Sequence, residues 1–126
     1  MPPKPEKNVS ATRSMGTRLG KLRSAVADLE ELLNELKDKQ SILEEEASEI
    51  QMLKQTVIKR FESVADKWVE LDDEDNFVDE NERGKCQSDY DEAKKIHKSA
   101  MNASRQVTSR PREATSNADN YLNGTS

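Results

Sequence analysis

One cysteine, Cys86, and one histidine, His97, are the only residues of their kinds, so nucleophilic or soft-metal chemistry would have to run through them. A Cys-His nucleophile needs the imidazole within hydrogen-bond reach of the sulfur, a third group to orient the ring, and a pocket. Both residues instead fall on the apolar stripe of one thin helix, where modest-sized side chains fill a helix interface. Two soft ligands also fall short of the tetrahedral set that structural zinc demands. The acidic run from Glu70 to Glu82 invites a calcium reading. Counted from Asp73, however, it puts Asp75 at the third loop position but Phe77 at the fifth and Val78 at the sixth, where an EF-hand needs an oxygen ligand and a glycine. No glycine-rich phosphate cradle, nucleophile elbow or His-Glu-x-x-His occurs. The expectation is a protein that is not an enzyme and carries no metal, cofactor or small-molecule substrate.

The elements that hold these residues are read from a heptad run. With Leu19 at position a, the a positions are Leu19, Val26, Leu33, Gln40, Ala47, Lys54, Phe61 and Trp68. The d positions are Leu22, Leu29, Leu36, Leu43, Ile50, Val57, Val64 and Leu71, all apolar. A sustained period of 3.5 keeps one seam toward a neighbour only if helices supercoil, so the pattern predicts a coiled coil. Among 126 residues, 36% are charged and 4% aromatic, too few bulky side chains for a thick core and suited to long helices with solvated faces.

Punctuation sets the boundaries. Residues 1–14 hold three of the four prolines and read as a flexible basic arm. A helix is predicted from about 17 to 71, its first turns weakened by Gly16 and Gly20. It stops at Asp72-Asp73-Glu74-Asp75, where carboxylates oppose the helix dipole, giving an acidic turn over 72–78. Asp79 and Glu82 approximate a capping box for a second helix over about 79–107. Its stripe runs through Cys86, Tyr90, Ala93, His97, Ala100, Ser104 and Val107. Residues 108–126 are Ser, Thr, Asn and Arg-rich and read as a disordered tail. Ser41 and Glu44 form another potential capping box beside Gln40, and a break there would make three helices. With no Gly or Pro nearby, the helix is expected to run through.

At 1.5 Å per residue the first helix would span roughly 75 to 85 Å and the second about 40 Å, so a returning helix covers only the second half of the first. The apolar stripe widens in that half, through Leu53, Ile58 and Ala65. The predicted architecture is all-α: a long coiled-coil helix, an acidic turn and a shorter antiparallel return helix, together a coiled-coil hairpin over 15–107. The hairpin seam is assigned to Ile50, Leu53, Val57, Ile58, Phe61, Val64, Trp68, Leu71, Tyr90, Ala93, His97 and Ala100. Leu19, Leu22, Val26, Leu29, Leu33, Leu36 and Leu43 are left to meet a second chain.

Charge falls in blocks beyond the net of −5. Residues 1–23 carry Lys4, Lys7, Arg13, Arg18, Lys21 and Arg23 against Glu6 alone. Residues 28–49 and 70–92 are acidic, and the C-terminal part turns basic through Lys94, Lys95, Lys98, Arg105, Arg110 and Arg112. The short basic block without interleaved aromatics implies at most weak, salt-sensitive contact with nucleic acid. No apolar run reaches the ~20 residues that cross a bilayer, and no signal peptide is legible. The expected location is intracellular, in the cytoplasm, with no membrane partner.

Three further segments, Lys59-Arg60-Phe61-Glu62-Ser63-Val64, Asp72-Asp73-Glu74-Asp75, and Glu82-Arg83 followed by Tyr90-Asp91-Glu92-Ala93, occur in the order basic arm, long helix, acidic turn, shorter helix. That order resembles the N-terminal helical region of Gag-like polyproteins of Bel/Pao-type retrotransposons, over roughly residues 17–103. The resemblance implies self-association during particle assembly, with a basic end near nucleic acid. Taken together, the sequence predicts a coiled-coil scaffold that forms a homodimer or binds a helical partner through the seam of residues 19–71. The alternative is a Gag-like assembly fragment with weak nonspecific nucleic-acid binding.

Overall fold

Every third or fourth residue from Met15 to Leu36 is apolar, and all of them are buried: Met15, Leu19, Leu22, Val26, Leu29, Leu33 and Leu36. In the computed structural model, which describes residues 10–113, they lie on α1 (Ala11–Leu36). A short β1 (Ile42–Leu43), α2 (Glu44–Asp73), α3 (Glu80–Thr108) and a short β2 (Arg112–Glu113) follow. The chain is thus mostly helical, in three helices. Residues 1–9 of the arm expected over 1–14, and residues 114–126 of the tail expected over 108–126, lie outside the described residues.

The single helix expected from about 17 to 71 is two helices, and this is the main correction to the sequence reading. The α1 end has no basic residue in its last turn to offset the dipole. Five polar residues, Lys37-Asp38-Lys39-Gln40-Ser41, then make the corner. The next helix opens on Glu44, Glu45 and Glu46, three carboxylates at a positive helix end. Glu46 accepts the Leu43 backbone N–H at 2.8 Å, so the reciprocal half of a capping box forms two residues beyond the Ser41-Glu44 pair.

Residue pairing across the bundle gives the directions. Arg18 meets Ser63 and Arg60 meets the Lys21 carbonyl, so α1 and α2 run antiparallel. Phe61 lies on His97 and Asp72 bridges Arg83, so α2 and α3 also run antiparallel. Thr12 meets Glu82, Arg23 meets Glu92 and Arg110 meets Leu36, so α1 and α3 run parallel. The core is shared by all three helices. From α2 it takes Ile50, Val57, Val64 and Leu71, at steps of seven, joined by Trp68. From α3 it takes Cys86, Ala93, Ala100 and Val107, also at steps of seven, with Ser104. The small side chains of α3 let its backbone approach α1 closely, while aromatic rings fill the space toward α2.

Two further boundaries differ from expectation. The first helix begins at Ala11, because the Ser10 hydroxyl accepts the Arg13 N–H at 3.0 Å and because Ala11 and Met15 are buried. That burial offsets the roughly 1 kcal/mol that each of Gly16 and Gly20 costs relative to alanine. At the other end, residues 109–113 are drawn onto the α1/α2 corner. β2 pairs with β1 in parallel, Ile42 with Arg112 and Leu43 with Glu113, and Ile42 N–H donates to the Pro111 carbonyl at 3.0 Å. The acidic turn is displaced slightly, to residues 74–79.

Candidate functional site

Cys86 and His97 lie eleven positions apart on α3, about 16 Å along a helix axis. They also face different neighbours. Cys86 is fully buried, and that burial pushes its thiol pKa up, away from the reactive thiolate. His97 stacks on Phe61 at 4.4 Å between ring centroids with an interplanar angle of 14°. Burial holds its pKa below the ordinary histidine value. The two side chains therefore form no catalytic pair. Among the described residues, no group of three or more His, Cys, Asp or Glu side chains stands where it could hold a metal ion.

The acidic turn is built as a helix stop. Asp75 has φ of 51°, the left-handed conformation. Around it, Asn76 N–H donates to the Leu71 carbonyl at 2.9 Å and Asp75 N–H to that of Asp72 at 3.3 Å. These are the two hydrogen bonds of a Schellman motif, which satisfies the last carbonyls of α2. Asp79 then caps α3 by accepting the Glu82 N–H at 2.9 Å. The Glu82 carboxylate accepts from Val78 at 2.7 Å and from Thr12 at 3.4 Å, tying the start of α3 to the start of α1.

Of the residues assigned to the hairpin seam, Leu53 turns instead toward α1, where it lines a groove with Leu32 and Glu35, while the others, Ile58 aside, belong to the shared core and the α2/α3 contact. Ile50, Val57, Val64, Trp68, Leu71, Ala93 and Ala100 are buried, while Leu53, Ile58, Phe61, Tyr90 and His97 are half-buried. Their aromatic members form a ladder. Phe77 meets Trp68 at 5.7 Å, Trp68 meets Tyr90 at 5.8 Å, and Tyr90 and His97 flank Phe61. Arg83 sits over both Trp68 and Phe77, and its guanidinium is held by Asp72 at 2.6 Å. Phe77 was missed in the sequence because it lies in the acidic turn, outside any periodic stripe.

The residues left for a second chain are used otherwise. Leu19, Leu22, Val26, Leu29, Leu33 and Leu36 are each no more than 6% exposed, covered by α2 and α3 of the same chain. Leu43 is half-buried at the corner. Once α1 folds back, its apolar seam is consumed inside the bundle, so a partner of the folded chain must meet another surface.

The surface with the clearest organisation is the outer face between α1 and α2. Its first half is a groove of about 440 Å³ lined by Arg13, Ser14, Thr17, Arg18, Lys21 and Ser63. Arg18 Nη1 is anchored there, donating to the Ser63 carbonyl at 2.9 Å and hydroxyl at 2.8 Å. Arg60 adds a cation nearby by donating to the Lys21 carbonyl at 3.2 Å. The second half is a groove of about 300 Å³ lined by Asp28, Glu31, Leu32, Glu35, Glu49 and Leu53. The face is therefore dipolar, basic near the start of α1 and acidic near its end. The charge blocks are legible in the sequence, but their meeting on one two-helix face depends on the fold-back. No helix among the described residues is long and apolar enough to cross a membrane. No protein-family model, curated protein or solved structure matches this chain.

Proposed function

We propose that this chain is a non-enzymatic helical interaction module, a scaffold element that meets a protein partner on the outer α1/α2 face. The observation that carries this reading is the segregation of exposed charge on that face, with the apolar seam already closed inside the bundle. Ordered blocks of opposite sign set orientation and encounter rate between proteins more than they add raw affinity. The bundle supplies the rigid support, since each charged side chain stands on a helix packed on two others. A photo-crosslinking side chain placed in cells at Thr17 or Glu31 should give protein adducts, and one at Ser99, exposed on α3, should not. Adducts from Ser99 alone, or none from either groove, would remove the reading.

A second reading is a Gag-like assembly fragment, in which the cluster of Arg13, Arg18, Lys21 and Arg60 contacts nucleic-acid phosphates. It requires salt-sensitive retardation of unrelated single-stranded RNAs that Arg13→Glu with Lys21→Glu abolishes. Equal mobility with and without RNA at low salt would eliminate it.

A further inference from the structure

The outward stripe of α1 repeats the three-four spacing of its buried seam. Thr17, Lys21, Ser24, Asp28, Glu31 and Glu35 follow one another at steps of four, three, four, three and four, and all are exposed. Side chains so spaced lie on one helix face. The stripe has no large apolar residue, and its charge changes sign at its middle, where Gly20 and Ser24 keep the surface low.

That arrangement is complementary to its own image. Turned end for end about an axis between Ser24 and Ala25, a second copy sets its Asp28 opposite Lys21, its Glu31 opposite Arg18 and its Glu35 opposite Ser14 and Arg13. The reciprocal contacts follow from the two-fold axis, as in any isologous interface. The centres of the basic and acidic halves are separated by about fourteen residues, roughly 21 Å of helix. At that distance salt screens each half from the other, while directly apposed partners attract. An extended polyanion would gain from the basic half and be repelled by the acidic half. A second copy gains from both.

We propose that the dipolar α1/α2 face is a self-docking surface, on which a second copy of this chain lies antiparallel and pairs Arg13, Arg18 and Lys21 with Asp28, Glu31 and Glu35 of the other copy. This rests on reading the face as a protein-contact surface and names the partner. The interface is polar, so the dimer is reversible and its affinity falls steeply with ionic strength.

The test is sedimentation equilibrium of the full chain at low and high salt, with two charge-reversed variants. Arg13→Glu with Lys21→Glu reverses the two cations that face Glu35 and Asp28 of the other copy, and Asp28→Lys with Glu35→Lys reverses those two acids. Arg18 is left in place because it anchors α2. The wild type is expected to dimerise at low salt and dissociate at high salt. Each variant alone should lose dimerisation by more than ~100-fold, since like charges set face to face cost several kcal/mol. An equimolar mixture of the two should recover a heterodimer. Unchanged circular dichroism confirms that these exposed substitutions leave the bundle folded.

A wild type that stays monomeric at low salt, a dimer insensitive to either reversal, or a mixture that fails to associate would each overturn the proposal. Monomeric wild type whose Thr17 and Glu31 crosslink to a different protein would refute self-docking while leaving the interaction module standing. Monomeric wild type that instead binds polyphosphate would assign the basic half to anions and refute it as well.

Discussion

The two corners of the bundle do the same job by different means. The corner at 74–79 is written locally. Asp75 takes the left-handed conformation, the Schellman hydrogen bonds close α2, and Asp79 caps α3 within a few residues. The corner at 37–43 is held from a distance. Arg110 Nη1 donates to the Leu36 carbonyl at 2.6 Å and to that of Lys39 at 2.8 Å, adding to the single local turn bond from the Lys39 N–H to the Leu36 carbonyl at 3.0 Å. Pro111 accepts from Ile42, Glu113 accepts from the Ser41 hydroxyl, and Arg112 lies 3.9 Å from Glu44. A local corner forms wherever its residues are; a distant clasp forms only when the third helix has arrived. The difference predicts that the first corner depends on the end of α3 and the second does not.

Substitutions can break or sharpen this contrast. Ile42→Ala should have the largest effect, about 3 kcal/mol by chemical denaturation, because Ile42 is fully buried and its removal leaves a cavity. On a continuous helix Ile42 would occupy an outer c position, and its loss would be nearly silent. Arg110→Ala should come next, at about 2 kcal/mol, since it leaves two carbonyls without their charged donor. Hydrogen exchange should then quicken around 36–43 and remain unchanged around 74–79. Equal acceleration at both corners would contradict the distinction.

At the local corner, Asp75→Gly should stabilise the protein by about 1 kcal/mol, because glycine adopts positive φ without a Cβ penalty. No gain in melting temperature would mean that the left-handed turn is not populated in solution. The smallest effect concerns pH. The Leu43 N–H holds the Glu46 carboxylate below its ordinary pKa of 4.5, with burial opposing and Lys39 assisting. A depressed carboxylate contributes stability that is present above its unfolded pKa and is lost as pH falls through the folded value. The stability gap between wild type and Glu46→Gln should therefore narrow on acidification below about 4.5. A gap constant with pH would show that the Leu43 cap is not formed.

This contrast also explains how much of the molecule could be read in advance. The d residues Leu22, Leu29, Leu36, Ile50, Val57, Val64 and Leu71 are all buried, so the heptad identified inward-facing side chains well. It could not see the first corner, because Leu36, Leu43 and Ile50 keep their seven-residue spacing straight across it. Ile42 was one of three large apolar residues on the nominal outer face, with Met52 at f and Val69 at b, and it alone of the three is buried. The run from Lys37 to Ser41 followed by three glutamates was a further sign, weaker than a Gly or Pro would have been. The dipolar face was legible only as blocks of charge.

The amino-acid sequence alone determined that the chain is helical, which side chains turn inward, and where α2 gives way to α3, because periodicity, capping and turn chemistry act over a few residues. Only the tertiary structure decided what those inward side chains meet. Spacing specifies that a seam must be buried and is silent about which surface buries it. The choice fell to contacts some seventy residues apart, Arg110 on the α1 carbonyls and Glu82 on the first turn of α1. By folding α1 back they closed the seam and brought opposite charges together on one outer face.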